Sequence, residues 1–310
     1  MLKTKLLLTF ALALIFILTS CVTPPPAPTP LQPAPPSPPP SLAISARILD
    51  SRWIREDDDL PAYQVYVEVS VSDIGGEPAL VNLMANYPLS GTMLTTFNLS
   101  PQSGYRYNHQ LSFRLGTSAD GWITYTANSA KANAACQLFI PASPLPRWRV
   151  GPEVLKLYIT PNNSYIRQLL NQILASKPLL RTDFGAIQEW VDFNVAYRSD
   201  SSRHGVSDYW QLPFETASLK SGDCEDYAIL LCSLLRAYGI PAEKVYVAVG
   251  LNVDGTTAHA YLIEHWYYGK WRVIEPQSSF PLLTDIESWL TDLQYDDVFY
   301  FNDLYYFQVK

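Results

Sequence analysis

Residues 218–247 read SLKSGDCEDYAILLCSLLRAYGIPAEKVYV, and this stretch decides the fold. Ser221, Gly222 and Asp223 form a turn. An apolar run then starts at Cys224 and ends at Gly239-Ile240-Pro241, a left-handed glycine cap followed by a proline that cannot continue a helix. The run is a helix with a cysteine at its first position. The unpaired N–H groups and the dipole at that end favour an anion. Asp223, Glu225 and Asp226 oppose it, because carboxylates beside a thiol raise its pKa. A reactive Cys224 therefore needs a histidine or a cation nearby.

The flanking sequence gives the helix its partners. Upstream, SYIRQLLNQILASK puts Ile166, Leu169, Leu170, Ile173 and Leu174 on one helical stripe. A second helix follows, with Ile187, Trp190, Val191 and Val195 in phase and Thr182 or Asp183 as its cap. The stretch RSDSSRHGVSDYWQLPFETASLKSGD reads as a polar loop. Downstream, KVYVAVG, HAYLIEHWYY and KWRVIEP read as strands. Helices followed by an antiparallel sheet make an α+β arrangement. The aromatic tail YDDVFYFNDLYYF is expected to cover a sheet edge.

A nucleophilic cysteine takes a histidine as base, and that histidine is oriented by a third group. The chain holds four histidines. His109 lies in the N-terminal half and reads as a surface residue; His204 is in the polar loop. His259 opens one strand and Glu275 closes the next, so Cys224, His259 and Glu275 supply the three roles in order. His265 reads as a surface or packing residue, and Cys232 as core. Both members of a cross-strand pair must face one side. The even sum of 259 and 275 requires a three- or five-residue hairpin loop or a bulge, and Gly269 suits the left-handed position there.

SGDCEDYAILLCSLLRAYGIPA followed by HAYLIEHWYYGKWRVIEP resembles the transglutaminase-like superfamily, the papain-related fold in which a cysteine opens a central helix packed on an antiparallel sheet. YWQLPFET and GDCEDYA are similar in wording to the exported bacterial transglutaminase-like cysteine peptidases. The resemblance covers roughly residues 155–280. It implies Cys224 as nucleophile, His259 as general base and Glu275 as orienting acid, glutamate standing where the family usually has aspartate. It also implies an oxyanion donor at Trp210 or Gln211. Some exported relatives hold calcium through acids flanking the nucleophile. Asp223, Glu225 and Asp226 match that pattern, and calcium prefers clustered oxygens; the other reading is that Asp223 caps the helix and Asp226 closes a capping box. No cofactor is otherwise required.

Outside this region the N-terminus reads as an export signal. MLKTK is basic, LLLTFALALIFIL is an apolar core too short to span a bilayer comfortably, and LTSC (18–21) resembles a bacterial lipobox. Residues 1–20 are thus expected to be a lipoprotein signal peptide, with Cys21 lipidated and the protein anchored on the extracytoplasmic side. Residues 21–42 form a spacer; eleven prolines within 24–40 make it an extended polyproline segment. Residues 43–145 read as an all-β immunoglobulin-like sandwich. In YQVYVEVSVSD, Tyr63, Val65, Val67, Val69 and Val71 alternate with Gln64, Tyr66, Glu68, Ser70 and Ser72. PASPLPRWRVGP marks the boundary, and residues 150–310 form the transglutaminase-like domain.

The net charge of −7 gives a nucleic-acid partner no electrostatic support. With Cys21 acylated, Cys136, Cys224 and Cys232 remain, an odd number for an exported chain. Cys224 and Cys232 are eight residues apart on one helix, about 12 Å, too far for a disulfide. Two functions are open to this sequence. One is a membrane-anchored cysteine enzyme acting on protein or peptide amides through a Cys224 acyl-enzyme, with water as acceptor for a peptidase or amidase and an amine for a cross-linking transglutaminase. The other is a non-catalytic binding or scaffold lipoprotein that retains the fold.

Overall fold

The computed structural model describes residues 41–309 except 76–77, 87–90, 116–120, 142–143, 148–150, 253–254, 256–257, 266–268 and 279–294. Residues 1–40, which hold the expected signal peptide, Cys21 and the prolines of the expected spacer, lie outside the described residues. Pro38–Lys310 form one compact unit.

Seven strands come first: β1 (Leu42–Arg55), β2 (Pro61–Asp73), β3 (Ala79–Asn86), β4 (Gly91–Leu99), β5 (Gly104–Arg114), β6 (Gly121–Asn128) and β7 (Asn133–Ile140). They make two antiparallel sheets, ordered β1-β2-β5 and β4-β3-β6-β7. The period-two reading holds: Val65, Val67 and Val69 are fully buried, and Leu83, Ile123 and Tyr125 from the other sheet share their core. His109 departs from the surface reading. It is half-buried, and its Nε2 lies 2.8 Å from the hydroxyl of the buried Tyr125, because β5 turns its odd-numbered residues inward.

The second part follows as α1 (Pro152–Leu155), a 3-10 turn at Lys156–Tyr158, α2 (Ser164–Ser176), α3 (Asp183–Asn194), β8 (Ala196–Tyr197), α4 (Asp200–Arg203), α5 (Pro213–Leu219), β9 (Ser221–Gly222) and α6 (Cys224–Tyr238). Strands β10 (Val245–Asn252), β11 (Ala258–His265), β12 (Trp271–Ile274), β13 (Tyr295–Phe301) and β14 (Tyr306–Gln308) complete it. The sheet order is β12-β11-β10-β13-β14. The aromatic tail thus extends the sheet as two strands on the β10 side. Helix α6 is the centre of the core: Ala228 through Leu235 are all buried, packed against α2 and α3 and against Val245, Val247, Leu262 and Ile274 of the sheet. Thr182 caps α3 by accepting from the Gly185 N–H at 3.1 Å, and Gly239 ends α6 at φ 110°. The polar loop of the sequence holds two short helices. Pro213 at the start of α5, with Glu215 accepting from the Leu212 N–H at 2.7 Å, is the local signal for the second.

The β1–β2 turn clamps the two parts together. Arg55 donates to Asp59 (2.7 Å), to the carbonyl of Ile159 (2.7 Å) and to that of Lys156. Asp59 is 3% exposed at φ 63° and accepts from the Asn162 N–H at 2.7 Å. Trp53 packs against both hydrophobic cores. Arg55→Ala would leave a buried carboxylate without its cation and two carbonyls without a donor. It is expected to cost about 2–4 kcal/mol, read as a lower denaturant midpoint at unchanged slope. Arg55→Lys should recover only part of the loss, since one ammonium lacks the guanidinium fork.

Candidate functional site

Cys224 occupies the first position of α6, with Asp223 as the N-cap. Three features hold that helix end. The carboxylate of Asp226, fully buried, accepts from the Gln211 backbone N–H (2.8 Å), from the Gln211 side-chain amide and from the Asp223 N–H (3.3 Å). Gly222 lies directly against it, where an added Cβ would be 2.5 Å from the Asp226 side chain. Strand β8 pairs with β9 in parallel and fixes the turn from the other side.

The segment carrying Gln211 is itself gripped. Arg147 donates to the Trp210 carbonyl (3.0 Å) and bidentately to Glu215 (2.6 and 3.0 Å), while its own carbonyl accepts from the Trp210 N–H (2.9 Å). Trp210 lines a cavity of about 570 Å³ together with Cys224, His259, Asp200, Asp208, Asp223, Glu225, Tyr197, Leu155, Val249 and Phe299. Gln211 does not line it; its amide is committed to Asp226 and to the carbonyl of Ser221.

His259 sits on β11 and its Nε2 is 2.8 Å from Glu275 Oε2. The β11–β12 register has even sums, Leu262 opposite Ile274 and His265 opposite Trp271, and Gly269 in the connecting loop has φ 75°. That register places His259 and Glu275 on one side of the sheet. The second oxygen of Glu275 accepts from the Gln277 N–H at 3.1 Å, which fixes the carboxylate's orientation.

The electrostatics are severe. Cys224 Sγ donates to Glu225 Oε2 at 3.2 Å. Burial first, and the Glu225 charge second, push the thiol far above its ordinary range; the Ala260 backbone N–H acts in the opposite sense. Burial and the neighbouring Asp223 carboxylate likewise hold Glu225 well above the usual carboxylate range. Asp226 is raised to about 8, by burial against the opposing Gln211 bonds, and Asp200 to about 6, by burial and Asp223.

Asp200 and Asp208 were not legible as site residues from the sequence; the polar loop gave no reason to bring them to the nucleophile. The fold gathers Asp200, Asp208 and Glu225 with one oxygen each within 4.8 Å, and Asp200, Asp223 and Asp226 likewise. Those separations suit an ion coordinated at about 2.4 Å by oxygen. Asp223 Oδ1 is buried without a hydrogen-bond partner, and the raised carboxyls call for positive charge. A hard divalent cation fits. Asp226 already has three N–H donors on its two oxygens, so Asp200, Asp208 and Glu225 form the group better placed to hold an ion, with Asp223 close to Asp200.

Residues 167–276, which carry the cysteine at the start of the central helix and the histidine–carboxylate pair on the sheet, match the model of the transglutaminase-like superfamily. Among solved structures, Legionella pneumophila LapG is similar at 19% identity and a TM-score of 0.36, over 48% of this chain and 78% of that one. A calcium-bound form of the same protein is similar at 18% identity and the same TM-score, over 52% and 81%. Comparison with curated protein sequences returns no match.

Two predictions follow from the geometry of α6. Gly222→Ala should displace Asp226 and cost about 1–3 kcal/mol, measured by denaturant unfolding. The second concerns pH. A carboxyl raised above its unfolded value stabilises the fold most below that value, and the contribution is lost as pH rises through the folded value. In the presence of chelator the unfolding midpoint should therefore fall as pH rises from about 4, more steeply up to about 6 while Asp200 and Asp226 both contribute, and more gently from there to about 8 through Asp226. Asp200→Asn should flatten the steeper part. Calcium at millimolar concentration should raise the midpoint at pH 8.

Proposed function

We propose that the protein is an exported, lipid-anchored cysteine enzyme that hydrolyses amide bonds of protein or peptide substrates through an acyl-enzyme at Cys224. The observation that carries this reading is that His259, 2.8 Å from Glu275 through its Nε2, lines one cavity with a cysteine at a helix N-terminus. With Nε2–H held by Glu275, the neutral ring leaves Nδ1 as the base. His259 takes the Cys224 proton, and the sulfur attacks the substrate carbonyl carbon. The C–N bond then breaks as His259 returns the proton to the leaving amine. Water, deprotonated by His259, attacks the thioester and releases the acid and the thiol. The Ala260 N–H beside the sulfur and the N–H groups of the α6 start favour the negative charges that develop.

Asp200, Asp208, Asp223 and Glu225 would hold a calcium ion, whose charge would offset the carboxylates that oppose a thiolate. With Glu225 so engaged, the Cys224 proton is left to His259. Cys21 as lipidation site, the proline-rich spacer and an extracytoplasmic location complete the proposal. The N-terminal strands are read as an immunoglobulin-like sandwich over 43–145, supported by their sheet orders and shared core. Residues 150–310 are read as the catalytic domain.

A second reading, a non-catalytic scaffold, is favoured by the Cys224–Glu225 hydrogen bond, which holds the thiol protonated. Iodoacetamide labelling at neutral pH in calcium separates the two. The enzyme reading expects Cys224 to be modified faster than Cys136 and Cys232, with the preference lost in His259→Ala. Glu275→Gln should lower peptide hydrolysis about 10²-fold or more. Labelling of Cys224 no faster than that of Cys136, and unchanged in His259→Ala, would support the scaffold.

A further inference from the structure

The C-terminal sheet outruns the helix that covers it. In VYVAVGLN, strand β10, the odd positions Val245, Val247, Val249 and Leu251 fall on the side of α6. Val245 and Val247 are fully buried in the core that α6 centres. The helix starts at Cys224, and the stripe continues beyond that cover: Val249 is half-buried and Leu251 is 37% exposed. A strand end facing only water would turn polar there. This one stays apolar.

The register shows what the uncovered stripe builds. Val247 stands between Phe301 and Leu262, a row that is fully buried. The next row is Phe299–Val249–Ala260, and all three line the catalytic cavity. Ala260 marks its position, because the Ala260 N–H meets the Cys224 sulfur. One row further, Leu251 pairs with Ala258, and both line the cavity; Asp296, opposite Leu251 on β13, does not. Leu155 and Trp210 complete the apolar lining, and the Trp210 ring stacks on Phe301 at 5.9 Å. The acids of the cavity come from the α4 region and the start of α6, so the sheet contributes a strip free of charged and hydrogen-bonding side chains apart from His259.

We propose that this strip is a substrate subsite that takes a large aliphatic or aromatic side chain within three residues of the bond that Cys224 attacks. The distance follows from the sheet. Two strand spacings of about 4.8 Å carry the row about 10 Å from Ala260 to Phe299, which an extended peptide covers in about three residues. The choice of side chain follows from the lining. An apolar group leaves water for apolar surface, whereas a polar or charged one would lose its hydration without gaining a partner. That the ligand is a peptide rests on the catalytic reading of Cys224.

Cleavage and retention of one peptide mixture test this. The full chain, in millimolar calcium, is incubated with synthetic decapeptides of random sequence, and the cleaved bonds are read by mass spectrometry. Immobilised Cys224→Ala is given the same mixture, and the retained peptides are sequenced. Leu, Ile, Val, Met or Phe within three residues of the cleaved bond is expected about tenfold above its frequency in the mixture, with the same residues enriched in the retained pool. Leu251→Ser changes an exposed position, and Val249→Thr keeps the shape of the floor while adding a hydroxyl. Each should cut the enrichment about fourfold, the worth of one lost CH₂ contact, with the circular dichroism spectrum unchanged. Cleavage without apolar preference, or a preference that both variants keep, overturns the subsite and leaves the catalytic reading standing. No cleavage, with selective retention that Val249→Thr weakens, refutes hydrolysis and supports the subsite. Neither cleavage nor selective retention overturns both.

Discussion

A buried carboxylate at the start of α6 is the constraint on which the site depends. Asp226 has no solvent exposure, and its two oxygens are occupied by the backbone and side chain of Gln211 and by the Asp223 N–H. An acid in that position is tolerated only if donors come to it. Satisfying it brings the 209–212 segment against the helix end, sets Trp210 in the cavity wall and leaves room for no side chain at Gly222. The position of Cys224 is a consequence of that packing.

The same packing concentrates negative charge. The Tyr209 N–H donates to Asp200, so the segment that satisfies Asp226 also holds Asp200 at the site, and Asp208 and Glu225 complete the cluster. Burial raises Asp200, Glu225, Asp226 and the Cys224 thiol together, so the site in this form opposes the thiolate that a cysteine nucleophile requires. The pair formed by His259 and Glu275 stands on the sheet, whereas the acids come from the α4 region and the start of α6, so the two halves of the site come from different elements.

The N-terminal strands are joined to this arrangement by more than a tether. Arg55 and Asp59 bind the turn before α2, and Arg147, after the last of these strands, holds the Trp210 backbone from both sides. Leu155, a residue of the cavity wall, directly precedes Lys156, whose carbonyl Arg55 holds. A displacement of the strands would be felt at the cavity through these bonds.

Local chemistry was sufficient for much of this. The period of two in Tyr63–Ser72, the helical stripe of Ile166–Ile173, the cap at Thr182 and the stop at Gly239 are set by residues close in sequence, and the fold follows them. For His259 and Glu275 the sequence set only the condition, an odd hairpin loop or a bulge at Gly269, and the observed register meets it. Asp200 and Asp208 could not be found that way. They lie in a polar stretch without periodicity, and only the long-range demand of Asp226 for donors folds that stretch over the nucleophile. Likewise the half-buried His109 takes its environment from Tyr125, a partner on another strand. The sequence by itself determined which residues could do chemistry and the order of the elements that carry them. Only the tertiary structure adds Asp200, buried, and Asp208, half-buried, to the acids beside the thiol, because burial and charge proximity are properties of neighbours in space.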